Sequence, residues 1–221
     1  MTARTPALER IAAVGVVPVV ELPSLDQAAP LAEALLRAGL EVVEVTLRSE
    51  AGLHAIEKLS TDYPALLVGG GTVRTAANAG RVIDAGAQFV VSPSTNQAVI
   101  ELCCSRGITA LPGTCTPTEI DTAMACGAEA VKFFPAEAMG GVAFLKALAG
   151  PFRDVSFVPT GGIGPANIAD YLRLPSVLAC GGSWMVAPAL LSSGSFDQVE
   201  ELARDAVAIV AEVRGKARTV A

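Results

Sequence analysis

The strings RAGLEVVEV (37–45), DAGAQFVVS (84–92), SRGITALPG (105–113) and ACGAEAVKF (125–133) repeat one local event. In each, a helix-like segment stops at a glycine and an apolar, β-rich run follows within a few residues. Gly39, Gly86, Gly107 and Gly127 would each take the left-handed position just past a helix end, which glycine adopts without a side-chain penalty. The last three are 21 and 20 residues apart, the length of one compact strand–helix unit.

Outward from these strings, the chain shows eight such runs: 16–22, 40–48, 66–73, 88–93, 108–115, 130–136, 155–163 and 177–184. Their starts are 20–26 residues apart, and each gap holds an Ala- and Leu-rich segment with helical character. Several gaps open on a capping residue, as at Ser24, Thr75 and Asn96. Eight strand–helix units predict a closed parallel (β/α)8 TIM barrel, an α/β fold, in a single domain over residues 1–221. A doubly wound open sheet is the competitor, but it usually has fewer strands and one ligand crevice. Here glycines and polar residues mark the C-terminal ends of many strands, which favours the barrel.

Composition agrees with this fold. The 221 residues are 52% hydrophobic but only 5% aromatic, so the core is built from Ala, Val, Leu and Ile, as suits strands covered on both faces. The net charge of −6 and the lack of a basic cluster argue against a nucleic-acid partner. Five cysteines without CxxC spacing read as reduced thiols in a cytoplasmic protein, and one histidine leaves metal catalysis without its usual ligands. Residues 11–20 form the one run resembling a signal-peptide core. Glu9, Pro18 and Glu21 interrupt that reading, and no run is long enough to span a membrane.

In such barrels the chemistry lies at the C-terminal ends of the strands. The chain has four lysines, and Lys132 alone sits inside an apolar strand, in AVKFFP. Imine formation needs the uncharged amine, which an ordinary lysine supplies in roughly one molecule in 2,500 at pH 7. Apolar neighbours Val131, Phe133 and Phe134, with a nearby cation such as Arg48, would favour that form. The competing structural role is a buried ion pair with Glu44 or Glu137. Glu44, Thr46 and Arg48 alternate onto one side of the second strand. They present either a structural Glu–Arg pair or an acid/base carboxylate beside an anion-binding guanidinium.

Thr72 follows three glycines at the end of the third strand, and Ser92-Pro93 ends the fourth. Gly161-Gly162 and Gly181-Gly182-Ser183 end the last two strands, with Pro165 opening the next helix. This is the usual barrel position for a phosphate held by backbone N–H groups. His54 reads as a surface residue. For Trp184, two places stay open, over the pocket or beneath it.

The residues resemble the 2-dehydro-3-deoxy-phosphogluconate (KDPG) aldolase / 4-hydroxy-2-oxoglutarate (KHG) aldolase family. The matching strings are EVTLR (44–48), GTV (71–73), SP (92–93), KFFPAE (132–137), GPF (150–152), PTGGI (159–163) and GGSW (181–184), in order along nearly the whole chain. The resemblance implies a Schiff-base lyase of the Entner–Doudoroff pathway that cleaves KDPG to pyruvate and glyceraldehyde 3-phosphate. It implies Lys132 as the Schiff-base residue and Glu44 as the acid/base. Arg48 and Thr72 would hold the carboxylate region, while Pro93, Phe134 and Thr160 line the pocket. Gly161, Gly162 and Ser183 would hold phosphate, joined by Gly181 and Gly182 on the strand-end reading above. It further implies no metal or other cofactor, a cytoplasmic homotrimer, and an additional N-terminal helix at Pro6–Ala13. Ser94 departs from the family's usual glycine after SP, and Gly70 from its usual alanine before GTV. The alternatives are an aldolase for the galactonate epimer or for unphosphorylated 4-hydroxy-2-oxoglutarate, a non-aldolase phosphate-binding barrel enzyme, and a non-catalytic phosphosugar binder.

Overall fold

The computed structural model describes residues 4–219, without side chains for 216–219. The extreme ends of the expected 1–221 unit, and the Lys216 side chain, lie outside the described residues. The first half runs α1 (Pro6–Val14), β1 (Val16–Val20), α2 (Ala28–Arg37), β2 (Val42–Thr46), α3 (Gly52–Asp62), β3 (Leu67–Gly71), α4 (Ala76–Asp84), β4 (Phe89–Val91) and α5 (Gln97–Ser105). The second runs β5 (Thr109–Leu111), β6 (Gly113–Thr114), α6 (Pro117–Ala125), β7 (Lys132–Phe133), α7 (Gly141–Ala149), α8 (Ile168–Leu172), β8 (Cys180–Gly182), α9 (Pro188–Ser192) and α10 (Phe196–Thr219).

All four repeated glycines stop their helices in the left-handed conformation, with φ of 76°, 96°, 67° and 98° at Gly39, Gly86, Gly107 and Gly127. Each carries the same pair of terminal bonds. At the first, Leu40 N–H donates to the Leu35 carbonyl at 2.9 Å and Gly39 N–H to Leu36 at 3.0 Å. Thr75 and Asn96 cap α4 and α5 by accepting from the N–H groups of Asn78 and Val99. Ser24 does not cap α2: it opens a short 3-10 turn over Leu25–Gln27 and bonds Asp26 instead.

The helices turn the chain back so that strands pair in parallel. A six-stranded sheet runs β5-β4-β3-β2-β1-β8, and β6 pairs β7. The result is an α/β fold whose parallel sheet curls as in a TIM-like barrel. Two expected strands are altered, both at prolines. Pro112 has no N–H to donate, and the fifth run breaks there into β5 and β6. The seventh run, 155–163, contains Pro159 and forms no continuous strand; it joins its neighbours by single bridges, Val131–Phe157, Phe157–Val177 and Thr160–Gly181. Backbone bonds still cross these gaps, from Lys132 N–H to Pro112 O at 2.8 Å and from Thr160 N–H to Phe133 O at 2.9 Å.

Strand alternation also explains Gly70. Its neighbour Gly69 faces the Phe89 ring, whereas Gly70 faces helix α4, where an added Cβ would lie 2.8 Å from Val82 Cβ. Val82 is fully buried and fills the space that an alanine methyl would take. Gly70→Ala should therefore destabilise the fold by about 1–3 kcal/mol through overpacking. The same change should cost less in a Val82→Ala background, as thermal melting of the four proteins in a double-mutant cycle would read. Equal costs in both backgrounds would remove this explanation.

Candidate active site

A cavity of about 260 Å³ opens where the C-terminal ends of the strands converge. β2 and the turn after it contribute Glu44, Thr46 and Arg48; Thr72 and Pro93 follow β3 and β4. Lys132 and Phe134 come from β7 and its end, Thr160, Gly161 and Gly162 from the seventh run, and Gly181, Gly182 and Ser183 from β8. Every expected site residue thus lines one cavity. Val19 and Ile163 line it as well and carry no chemical functional group by which the sequence could have marked them.

At its centre, Lys132 Nζ lies 3.6 Å from Glu44 Oε1. Both residues are nearly inaccessible, at 6% and 3% exposed. The amine also lies 5.1 Å from the centre of the Phe134 ring. The third glycine of β3 makes room for the carboxylate, since a Cβ on Gly71 would fall 2.4 Å from Glu44 Oε1. Of the two carboxylates considered as lysine partners, Glu137 is engaged elsewhere, accepting from the Tyr171 hydroxyl.

Arg48 lies at the half-exposed rim of the cavity, 3.3 Å from Glu21 Oε2 and donating to Thr46 Oγ1 at 3.3 Å, whereas the ion-pair partner of Lys132 is Glu44. β2 ends at Thr46, so Arg48 extends past the strand and reaches outward. The charge next to the amine is therefore negative. At 3.6 Å the buried amine and carboxylate are each the counter-charge of the other.

Thr72 has φ 59°, a left-handed conformation that a β-branched residue adopts only at a cost of about 1–3 kcal/mol. It is the one non-glycine with positive φ among the described residues, and it faces the cavity. Ser92 ties the adjacent loops by donating to the Val73 carbonyl at 2.7 Å, which seats Pro93 in the wall. His54 is exposed on α3. Trp184 lies outside the cavity: its ring packs against Gly182, where a Cβ would fall 1.9 Å away, and it borders a separate hollow with Leu202 and Ala206 of α10.

The glycine-rich end also differs in detail. Gly181 N–H donates to the Pro159 carbonyl at 2.8 Å, so it is committed to the sheet and not presented to a ligand. Gly182 stands in the β1–β8 ladder opposite Pro18. Pro165 lies in a turn and does not open a helix; α8 begins only at Ile168 and has five residues. Gly161 and Gly162 have φ of 106° and 76°, which glycine tolerates. Asn167, unmarked in the sequence, accepts from Gly164 N–H at 2.8 Å and donates to the Gly162 carbonyl at 3.1 Å.

The chain is similar to known proteins in sequence and in fold. The family model for KDPG and KHG aldolase matches residues 8–202. The KHG/KDPG aldolase of Escherichia coli K12 is 45% identical over 192 residues, which are 87% of this chain and 90% of that protein. The KDPG aldolase of Legionella pneumophila, solved with pyruvate captured at low pH as a covalent carbinolamine intermediate, superposes with a TM-score of 0.87 at 38% identity, covering 90% of this chain and 97% of that one. The Zymomonas mobilis ZM4 2-keto-3-deoxy-6-phosphogluconate aldolase, solved with 3-phosphoglycerate, gives a TM-score of 0.85 at 34% identity, covering 93% and 97%. By sequence match over most of its length and by shared fold, this chain belongs to the KDPG and KHG aldolase family.

Proposed function

We propose that the cavity is the active site of a Schiff-base aldolase in which Lys132 forms the imine and Glu44 moves the protons. The enzyme cleaves 2-dehydro-3-deoxy-6-phosphogluconate to pyruvate and glyceraldehyde 3-phosphate, the cleavage step of the Entner–Doudoroff pathway, and 4-hydroxy-2-oxoglutarate is a second substrate. One observation carries the assignment of residues: the buried amine of Lys132 lies 3.6 Å from the buried carboxylate of Glu44, inside the one cavity that all the expected residues share.

The pair supplies a consistent proton path. Glu44 takes a proton from the Lys132 ammonium, and the freed amine attacks the C2 ketone to give a carbinolamine. Glu44 returns that proton to the departing hydroxyl, water leaves, and an iminium forms. The carboxylate, now free again, takes the C4 hydroxyl proton directly or through water. The C3–C4 bond breaks, its electron pair passes into the iminium, and glyceraldehyde 3-phosphate leaves. Protonation of the enamine at C3 and hydrolysis then release pyruvate and regenerate Lys132. The iminium serves as the electron sink, so the chemistry calls for no metal or other cofactor.

Arg48 and Thr72 hold the C1 carboxylate, with the guanidinium exchanging Glu21 for the substrate anion. Pro93, Phe134 and Thr160 form the wall, and Phe134 screens the amine from water. The phosphate sits against Gly161, Gly162 and Ser183, with Gly181 and Gly182 shaping the floor. The 3-phosphoglycerate held by the Zymomonas relative supports a phosphate end of this kind. Holding both ends of the chain fixes the C3–C4 bond between Lys132 and Glu44.

We further propose that residues 1–221 are one domain, a closed (β/α)8 barrel with α1 as its additional N-terminal helix. The bridges through the seventh run support closure. Unpaired thiols at all five cysteines suit a reducing, cytoplasmic setting. A homotrimer is proposed on the family resemblance alone. The assay that tests the activity offers KDPG and its C4 epimer separately and measures pyruvate and glyceraldehyde 3-phosphate. Equimolar products, formed faster from KDPG, are expected. Preference for the epimer would move the enzyme to the galactonate series, and no product from either would end the reading.

A further inference from the structure

The phosphate end depends on which way two peptide planes face. A trans peptide is planar and sets the N–H of one residue opposite the C=O of the residue before it. The Gly161 carbonyl accepts the Glu137 N–H at 3.0 Å, and the Gly162 carbonyl accepts Asn167 Nδ2 at 3.1 Å. Neither Glu137 nor Asn167 lines the cavity, whereas Gly161, Gly162 and Ile163 do. With both carbonyls drawn outward, the N–H groups of Gly162 and Ile163 face the cavity. Among the described residues no backbone acceptor meets either of them.

Asn167 holds the second plane. Its Oδ1 accepts from Gly164 N–H at 2.8 Å while Nδ2 donates to the Gly162 carbonyl, so the side-chain amide has a single orientation that satisfies both ends. Without it, the Gly162–Ile163 peptide would be free to turn, because Gly162 has the wide conformational range of a residue without Cβ. Two adjacent N–H groups aimed at one point make a concave anion site of the kind oriented backbone amides form.

We propose that Asn167 is a positioning residue for the substrate phosphate: from outside the cavity it fixes the Ile163 N–H, which joins that of Gly162 in donating to the phosphate oxygens. This rests on the aldolase reading and deepens it, since the Lys132 end of the cavity owes nothing to Asn167. Asn167→Ala removes both bonds without adding charge. Asn167→Asp keeps an acceptor for Gly164 N–H and loses the donor to Gly162, so the loop stays anchored.

Steady-state cleavage of KDPG and borohydride trapping of pyruvate, which has no phosphate, separate the effects. Both variants are expected to raise KM for KDPG about tenfold or more, the worth of a charge-assisted hydrogen bond. Their kcat, and the pyruvate concentration for half-maximal trapping, should stay near wild type. An unchanged KM in the alanine variant, or a parallel loss of cleavage and trapping in both variants, would overturn the proposal. Wild-type protein that fails to trap pyruvate would instead remove the aldolase reading beneath it.

Discussion

Lys132→Met should lower kcat/KM for KDPG cleavage on the order of 10⁴-fold or more, because losing a covalent nucleophile removes the reaction path itself. Methionine is close to lysine in length and suits the apolar ring of Phe134 beside it, so the pocket keeps its shape. The same change leaves the Glu44 carboxylate, 3% exposed, without its cationic neighbour. Removing one member of a buried pair costs about 3–5 kcal/mol, and replacing both members is often neutral. Lys132→Met should therefore melt well below wild type, and Lys132→Met with Glu44→Gln should recover most of the loss while staying inactive. Activity in Lys132→Met above about 1% of wild type would contradict the covalent path, since nucleophile loss costs far more than that in kcat.

Glu44→Gln should lower kcat by about 10²–10⁴-fold, the usual contribution of a positioned acid/base group, with a smaller change in KM. Glutamine matches the carboxylate in size and fits the space Gly71 leaves, but it neither accepts the C4 hydroxyl proton nor passes one to the carbinolamine. Pyruvate should still be trapped by borohydride, more slowly, because Lys132 retains its amine. If instead Glu44 served only to orient the lysine, cleavage and trapping would fall in the same proportion. A kcat within about threefold of wild type would leave no room for an acid/base role of the expected size.

What could be read from the sequence follows from how local each signal is. The glycine helix stops at Gly39, Gly86, Gly107 and Gly127 need only four or five neighbouring residues to declare themselves, and each one forms as expected. The strand ends were legible because a lysine inside AVKFFP and a carboxylate inside EVTLR are costly unless they meet. Features set by partners distant in the chain were not legible. Arg48 pairs with Glu21 because β2 stops two residues short of it, and Gly181 loses its amide to Pro159 because the seventh run bridges there. The breaks at Pro112 and Pro159 had a visible cause, the missing N–H, but strand continuity depends on the neighbouring ladder. Asn167 carries no motif; its role comes from two bonds to a loop whose course only the fold reveals.

The most direct measurement is borohydride reduction in the presence of pyruvate, followed by intact mass and peptide mapping. One pyruvate-derived adduct, confined to Lys132 and lost in Lys132→Met, is the predicted result. An unmodified chain, or an adduct carried by Lys58 or by the exposed Lys146, would contradict the claim that the buried amine beside Glu44 forms the imine.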